Sequence, residues 1–210
     1  AVMLVAVLVV GGTLAYFTDT KSATNTFTVG DVKIKLDESN VNDPDGDRVT
    51  SNEYTGMLPG IQYKKDPVVT NTGKNGAYVR AVVTIENGMN WMGLYNENVW
   101  TAPQAEAFKK LICNKMGEGW SLEDYNYVTN AERGSTDFVA VLKYDGVLAA
   151  GKATTAMFEN IMLPTNATAS DITTRVAQNG VFHIDVVAQA IQADGFTSWN
   201  DAFKAFDAQK

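Results

Sequence analysis

Apolar and polar side chains alternate every second residue in several separate stretches of this chain, and that pattern limits the folds open to it. Phe182, Ile184, Val186, Ala188 and Ala190 alternate with His183, Asp185 and Gln189. A helix, repeating every 3.6 residues, would scatter these apolar groups around its circumference; a strand collects them on one face. Val79, Ala81, Val83 and Ile85 stand likewise against Arg80, Thr84 and Glu86, while Phe138, Ala140, Leu142 and Tyr144 mark another strand. Val32, Ile34 and Leu36 alternate with Lys33, Lys35 and Asp37. Phe27 and Val29 alternate too, but the phase slips at Gly30-Asp31, as a bulge or tight turn requires. Segments 66–71 and 154–163 are further strand candidates. Turn chemistry separates the strands at Pro59-Gly60, Asn71 to Gly76, Asp145-Gly146, Asn179-Gly180 and Asp194-Gly195.

These strands are not regularly interleaved with helices, which argues against a parallel βαβ sheet. The expected fold is mainly β: a jelly roll or β-sandwich of antiparallel strands over 28–210, with a few short flanking helices. Glu38 to Asp47 reads as a long acidic loop. Two segments have helical spacing instead. Pro103 suits a first helical position, and Ala105, Phe108, Leu111, Ile112 and Met116 follow, with Cys113 inside the run and Gly117 ending it. Near the C-terminus, Ser198 is a cap with Asp201 three residues on, and Trp199, Ala202, Phe203 and Phe206 share a face. Such short helices need a sheet to pack on.

The chain has 210 residues and a net charge of −7. That balance opposes sequence-independent nucleic-acid binding, which needs cations to neutralise phosphates, and opposes attraction to anionic lipid. The single cysteine, Cys113, cannot form an intramolecular disulfide.

Ala1 to Val10 is unbroken apolar sequence, followed by Gly11-Gly12 and Thr13-Leu14-Ala15. An apolar core, then helix breakers, then small residues at −3 and −1, is how a cleavable secretory signal ends. Residues 1–15 are therefore expected to be the C-terminal part of a signal peptide, cut between Ala15 and Tyr16, so that the protein is exported and meets the membrane only transiently. The alternative is a retained segment, either an anchor or a packed strand. Residues 16–27 scatter Tyr16, Phe17, Ala23 and Phe27 among Thr, Ser and Asn. Nothing there forms a helix; the residues alone fit either an extended segment or a disordered mature N-terminus.

The run Thr13-Leu14-Ala15-Tyr16-Phe17-Thr18-Asp19, with Asn25 to Gly30, resembles the processing junction and first strand of the TasA/camelysin family. Leu58-Pro59-Gly60, Asp66-Pro67, Val69 to Gly73, Tyr78-Val79-Arg80, and Ile184 to Gln192 followed by Ala193-Asp194-Gly195-Phe196 resemble it as well. Residues 90–175 show no such likeness. The resemblance implies a Gram-positive protein, a dedicated signal peptidase, and a jelly-roll subunit of an extracellular biofilm-matrix or surface fibre. It further implies a head-to-tail homopolymer in which the segment after the cleavage site completes a neighbour's sheet. The donor strand would then include Tyr16, Phe17, Thr18, Ala23, Thr26 and Phe27.

Some camelysin relatives are described as metalloproteases, and a monomeric surface adhesin is a third reading. Catalytic zinc needs about three protein ligands and an open position. The chain has one histidine, one cysteine and no His-Glu-x-x-His helix. His183 and Asp185 share a strand face and are weak metal candidates, as are Asp43, Asp45 and Asp47 for calcium. An EF-hand loop begun at Asp43 would put Arg48 where glycine belongs and Tyr54 where the bidentate Glu belongs. No cofactor, no catalytic residue and no nucleic-acid partner are expected.

Overall fold

Three of the alternating segments, those around Val79–Ile85, Phe138–Tyr144 and Ile184–Ala190, pair into one antiparallel sheet. The computed structural model describes residues 18–22, 25–26, 32–54, 57–95, 105–171 and 183–209. In chain order the strands are β1 (Thr18–Ser22), β2 (Asn25–Thr26), β3 (Ile34–Asp37), β4 (Gln62–Lys64), β5 (Val68–Asn71), β6 (Ala77–Ile85), β7 (Trp120–Asn130), β8 (Ser135–Tyr144), β9 (Asn160–Met162) and β10 (Ile184–Gln192). The helices are α1 (Gly88–Tyr95), α2 (Ala105–Leu111), α3 (Ala169–Asp171) and α4 (Trp199–Asp207). The large sheet runs β2-β1-β10-β6-β8-β7 and is open, with β2 and β7 at its two edges.

Register explains why the three central strands belong together. Ala81 pairs with Ala188 on one side and Leu142 on the other; Val83 pairs with Val186 and Ala140. Directly paired residues point to the same face, so the three alternating patterns merge into one apolar surface. The opposite layer is broken into β3–β5 and β4–β9. Val32, Ile34, Val69 and Ile161 from that side join Val79, Ala81, Val83, Phe138, Ala140 and Leu142 in one buried core. The result is the mainly antiparallel β architecture that the alternation predicts.

Helices α1 and α2 close the core, contributing Trp91, Phe108 and Leu111. Phe108 stacks on Phe138 with ring centroids 6.0 Å apart. Gly88 lets the start of α1 lie against β8, because a Cβ there would stand 2.3 Å from the Phe138 amide nitrogen. On the sheet's other face, α4 makes a second small core from Trp199, Ala202, Phe203 and Phe206 with Ile191. Its start is the expected one: the Ser198 hydroxyl oxygen accepts from the Asp201 amide at 3.1 Å, and the hydroxyl donates to the Asp201 carboxylate at 2.7 Å.

Several expectations need correction. The helix read over 103–116 ends at Leu111, and Cys113 lies beyond it. Cys113 and Asn114 take φ of 56° and 57°. The Asn114 amide donates to Lys109 O and the Cys113 amide to Lys110 O, a Schellman ending. Gly117 does not end the helix but permits a close approach. A Cβ there would lie 1.7 Å from Ala156 O, so glycine lets this backbone reach Met157, whose carbonyl accepts the Gly117 amide at 2.9 Å. Within 154–163 only Asn160–Met162 forms a strand, while Phe158 makes an isolated bridge to Met116. Strand β7 and helix α1 have no counterpart among the elements expected from sequence. Most of β7 is exposed, so alternation leaves no trace in it. Helix α1 contains two glycines and owes its place to burial of Trp91 and Leu94. The phase slip at Gly30-Asp31, Pro103, Phe182 and the Asn179-Gly180 turn lie outside the described residues.

Candidate functional site

The N-terminal segment occupies a place in the sheet beside β10. Thr18 pairs with Ile191, Asp19 with Ala190, Thr20 with Gln189 and Lys21 with Ala188. The chain then turns back through β2, pairing Lys21 with Thr26 and Ser22 with Asn25. Main-chain amides and carbonyls on this side of β10 need partners, and β1 supplies them from the far end of the sequence. On β10 itself, Gln189 and Ile191 sit on the face that carries α4, and Ala188 and Ala190 on the face that carries the main core. Of the expected donor residues, Thr18 falls in β1 and Thr26 in β2. Ala15, Tyr16, Phe17, Ala23 and Phe27 lie outside the described residues.

Strand β10 is held from the α4 side by a buried cation. Arg80 Nε donates to Gln189 Oε1 at 2.6 Å, and its Nη1 and Nη2 donate to the two carboxylate oxygens of Asp207, the former at 2.8 Å. The guanidinium also lies 4.4 Å from the Phe203 ring centre and 5.1 Å from that of Phe206. The Trp199 indole donates to Val79 O at 2.9 Å. Arginine suits this position because its planar fork can stack and bond bidentately together. Gln189, the register partner of Thr20, is thereby fixed, and with it the edge on which β1 lies.

The weak metal candidates do not assemble. Asp43, Asp45 and Asp47 are exposed in a loop whose ends are tied by reciprocal Glu38–Val49 main-chain bonds of 2.8 Å. Within it the Gly46 amide donates to Asp43 O at 3.0 Å. His183 and Asp185 are exposed at the start of β10. Among the described residues, no three His, Cys, Asp or Glu side chains come together as a metal-holding group. The described residues by themselves therefore do not form a three-ligand catalytic zinc site.

The carboxylates that do converge are matched by cations. Arg48 Nε donates to Asp37 Oδ1 at 2.6 Å, Nη1 to Asp66 Oδ2 at 3.3 Å, and Nη2 to Asp37 O at 3.0 Å and Asp66 O at 2.8 Å. The Ser39 amide and hydroxyl each donate to the Asp66 carboxylate at 2.7 Å. Lys65 Nζ is 2.8 Å from Glu38 Oε2, with both side chains buried. Burial pushes the Asp66 carboxyl up, but the Ser39 bonds and the charges of Arg48 and Lys64 outweigh it and hold the group below its ordinary value. Tyr54, whose hydroxyl donates to Lys64 O, is pushed up by burial and then by the charges of Glu38 and Asp66. Burial likewise raises the Cys113 thiol. The network binds the 38–54 loop to the end of β4. Sequence reasoning missed Arg48 because its partners lie 9–18 residues away and share no local motif with it.

Fold and edge together define an open antiparallel β-sandwich protein whose N-terminal segment is an added strand. Residues 1–73 match the family model described as camelysin metallo-endopeptidase, in agreement with the TasA/camelysin resemblance. No curated protein and no solved structure matched the chain.

Proposed function

We propose that the chain is an exported structural protein, a subunit of an extracellular matrix or surface fibre that assembles by exchange of its N-terminal strand. The observation that carries this reading is the pairing of β1 with β10. The two strands are joined only through the whole intervening fold, not by a hairpin. The same backbone bonds can then form within one copy or between two, with little difference in enthalpy per bond. The acceptor is the β10 edge from Ala188 to Ile191, and the donor is residues 16–27. Exchange repeated in one direction gives an open, heterologous contact and hence a filament. The camelysin-model match over the same N-terminal region supports the TasA/camelysin resemblance from which this reading comes. So does the apolar stretch Ala1 to Val10, read as a signal that is removed at Ala15–Tyr16 by a signal peptidase.

The family description favours a second reading, a secreted metallo-endopeptidase. Against it stands the lack of a three-ligand group among the described residues. The discriminating experiment deletes residues 16–26 from the exported protein. A folded monomer that forms no fibres is expected, and fibres of normal length would sink strand exchange. Chelator-sensitive casein cleavage by the intact protein, with stoichiometric zinc, would instead establish the peptidase.

A further inference from the structure

The opposite border of the sheet poses a problem that β1 does not solve. Strand β7 is the longest of the described strands, and among the described residues nothing pairs with its outer side. It carries exposed Tyr125 and Val128. A long edge with free amides and apolar side chains is a template for another chain. The direction of its amides follows from the register. One residue past β6, the Glu86 amide donates to His183 O, so even positions on this strand bond toward β10 and odd ones toward β8. Ile85 faces Phe138, so even positions of β8 bond toward β6 and odd ones toward β7. Their partners on β7 are even positions such as Asn126 and Val128, and the amides of Tyr125 and Tyr127 point away from β8.

Those two outward amides are already used. The Tyr125 amide donates to Asp124 Oδ1 at 2.8 Å, and the Tyr127 amide donates to Asn126 Oδ1 at 2.8 Å. Each is bonded by the side chain of the residue before it, which leaves an incoming strand without donors there. Two other features act in the same sense. The register shifts between Leu122 and Asp124, a bulge that twists the strand. Glu123 and Asp124 put adjacent negative charges on the edge, which a second copy would meet with its own.

We infer that Asp124 and Asn126 seal the β7 edge against strand addition by a second copy of this chain. The inference stands apart from strand exchange at β1. Where both hold, growth is confined to the β1 side, and an assembly lengthens without widening.

The test uses the full chain in three forms: wild type, the double variant Asp124→Ala/Asn126→Ala, and Asp124→Asn. The last keeps an acceptor oxygen and removes the charge. Amide exchange at Tyr125 and Tyr127 is measured in dilute protein, and lateral association is measured by sedimentation and filament width. In the double variant both amides should exchange about fivefold faster, the factor expected from losing one hydrogen bond. The same variant should associate side by side as its concentration rises, while wild type and Asp124→Asn do not. Unchanged exchange in the double variant would overturn the inference, as would its failure to associate. Association of Asp124→Asn to the same extent as the double variant would also overturn it, because charge alone would then be the barrier. Width and exchange are read whether or not filaments form through β1, so a failure here is distinct from a failure of strand exchange.

Discussion

Replacing Arg48 by alanine removes the centre of the network that ties the 38–54 loop to the sandwich. Two carboxylates lose their shared partner: Asp37, whose side chain is 6% exposed, and Asp66, at 10%. The carbonyls of Asp37 and Asp66 each lose a donor as well. Breaking a buried ion pair by removing one member costs about 3–5 kcal/mol. Two facts lower that figure here. Arg48 is itself 34% exposed, so water can reach the vacated site. Lys35 remains 2.8 Å from Asp37, and Lys64 remains 3.4 Å from Asp66. A loss of about 2–3 kcal/mol follows. At roughly 2–4 °C per kcal/mol for a domain of this size, the melting temperature should fall by about 4–12 °C at pH 7.

Acid supplies the check on the cause. The folded-state pKa of Asp66 is lowered, so the stability it contributes is present above the ordinary carboxylate pKa of about 3.9 and is lost as pH falls through the lower folded value. Urea midpoints for wild type and Arg48→Ala should therefore converge as the pH is taken below about 3.9. A melting temperature lowered by less than about 2 °C at pH 7 would refute the assignment of stability to this network. A gap between the two proteins that stays constant into acid would refute its electrostatic origin.

Two further outcomes are expected. Asp207→Ala should cost about 2–3 kcal/mol in urea unfolding, because it leaves the buried Arg80 guanidinium with Gln189 and two aromatic rings but no counter-charge; no change in the urea midpoint would show that solvent replaces Asp207. Cys113 should be alkylated by iodoacetamide much more slowly than a free thiol at about pH 8, since burial raises its pKa and starves it of thiolate; labelling at the free-thiol rate would contradict that burial.

Local sequence carried those elements whose cause is local. Alternation at Val79–Ile85, Phe138–Tyr144 and Ile184–Ala190 became β6, β8 and β10, because side chains on neighbouring residues already decide which face is apolar. Ser198, Asp201 and the Trp199–Phe206 face marked α4 for the same reason, since a helix start and its stripe lie within one short stretch. From the residues alone, the candidate site was legible only as a non-helical segment, extended or disordered, containing Thr18 and Thr26. That its partner is β10, with Thr18 opposite Ile191, depends on a pairing across nearly the whole chain. No residue near Thr18 names Ile191. The choice is made by which backbone edge the packed core leaves open. Strand β7 was hidden because an edge strand buries too little to show a period, and its sealing by Asp124 and Asn126 has meaning only once β8 has fixed which amides face outward. The Arg48 network likewise exists only after β3, the 38–54 loop and β4 are brought together. What the sequence determined by itself was therefore the character of each strand and of the last helix. The tertiary structure alone decided which strand lies beside which, because pairing is settled by long-range burial and by main-chain donors that must be matched across it.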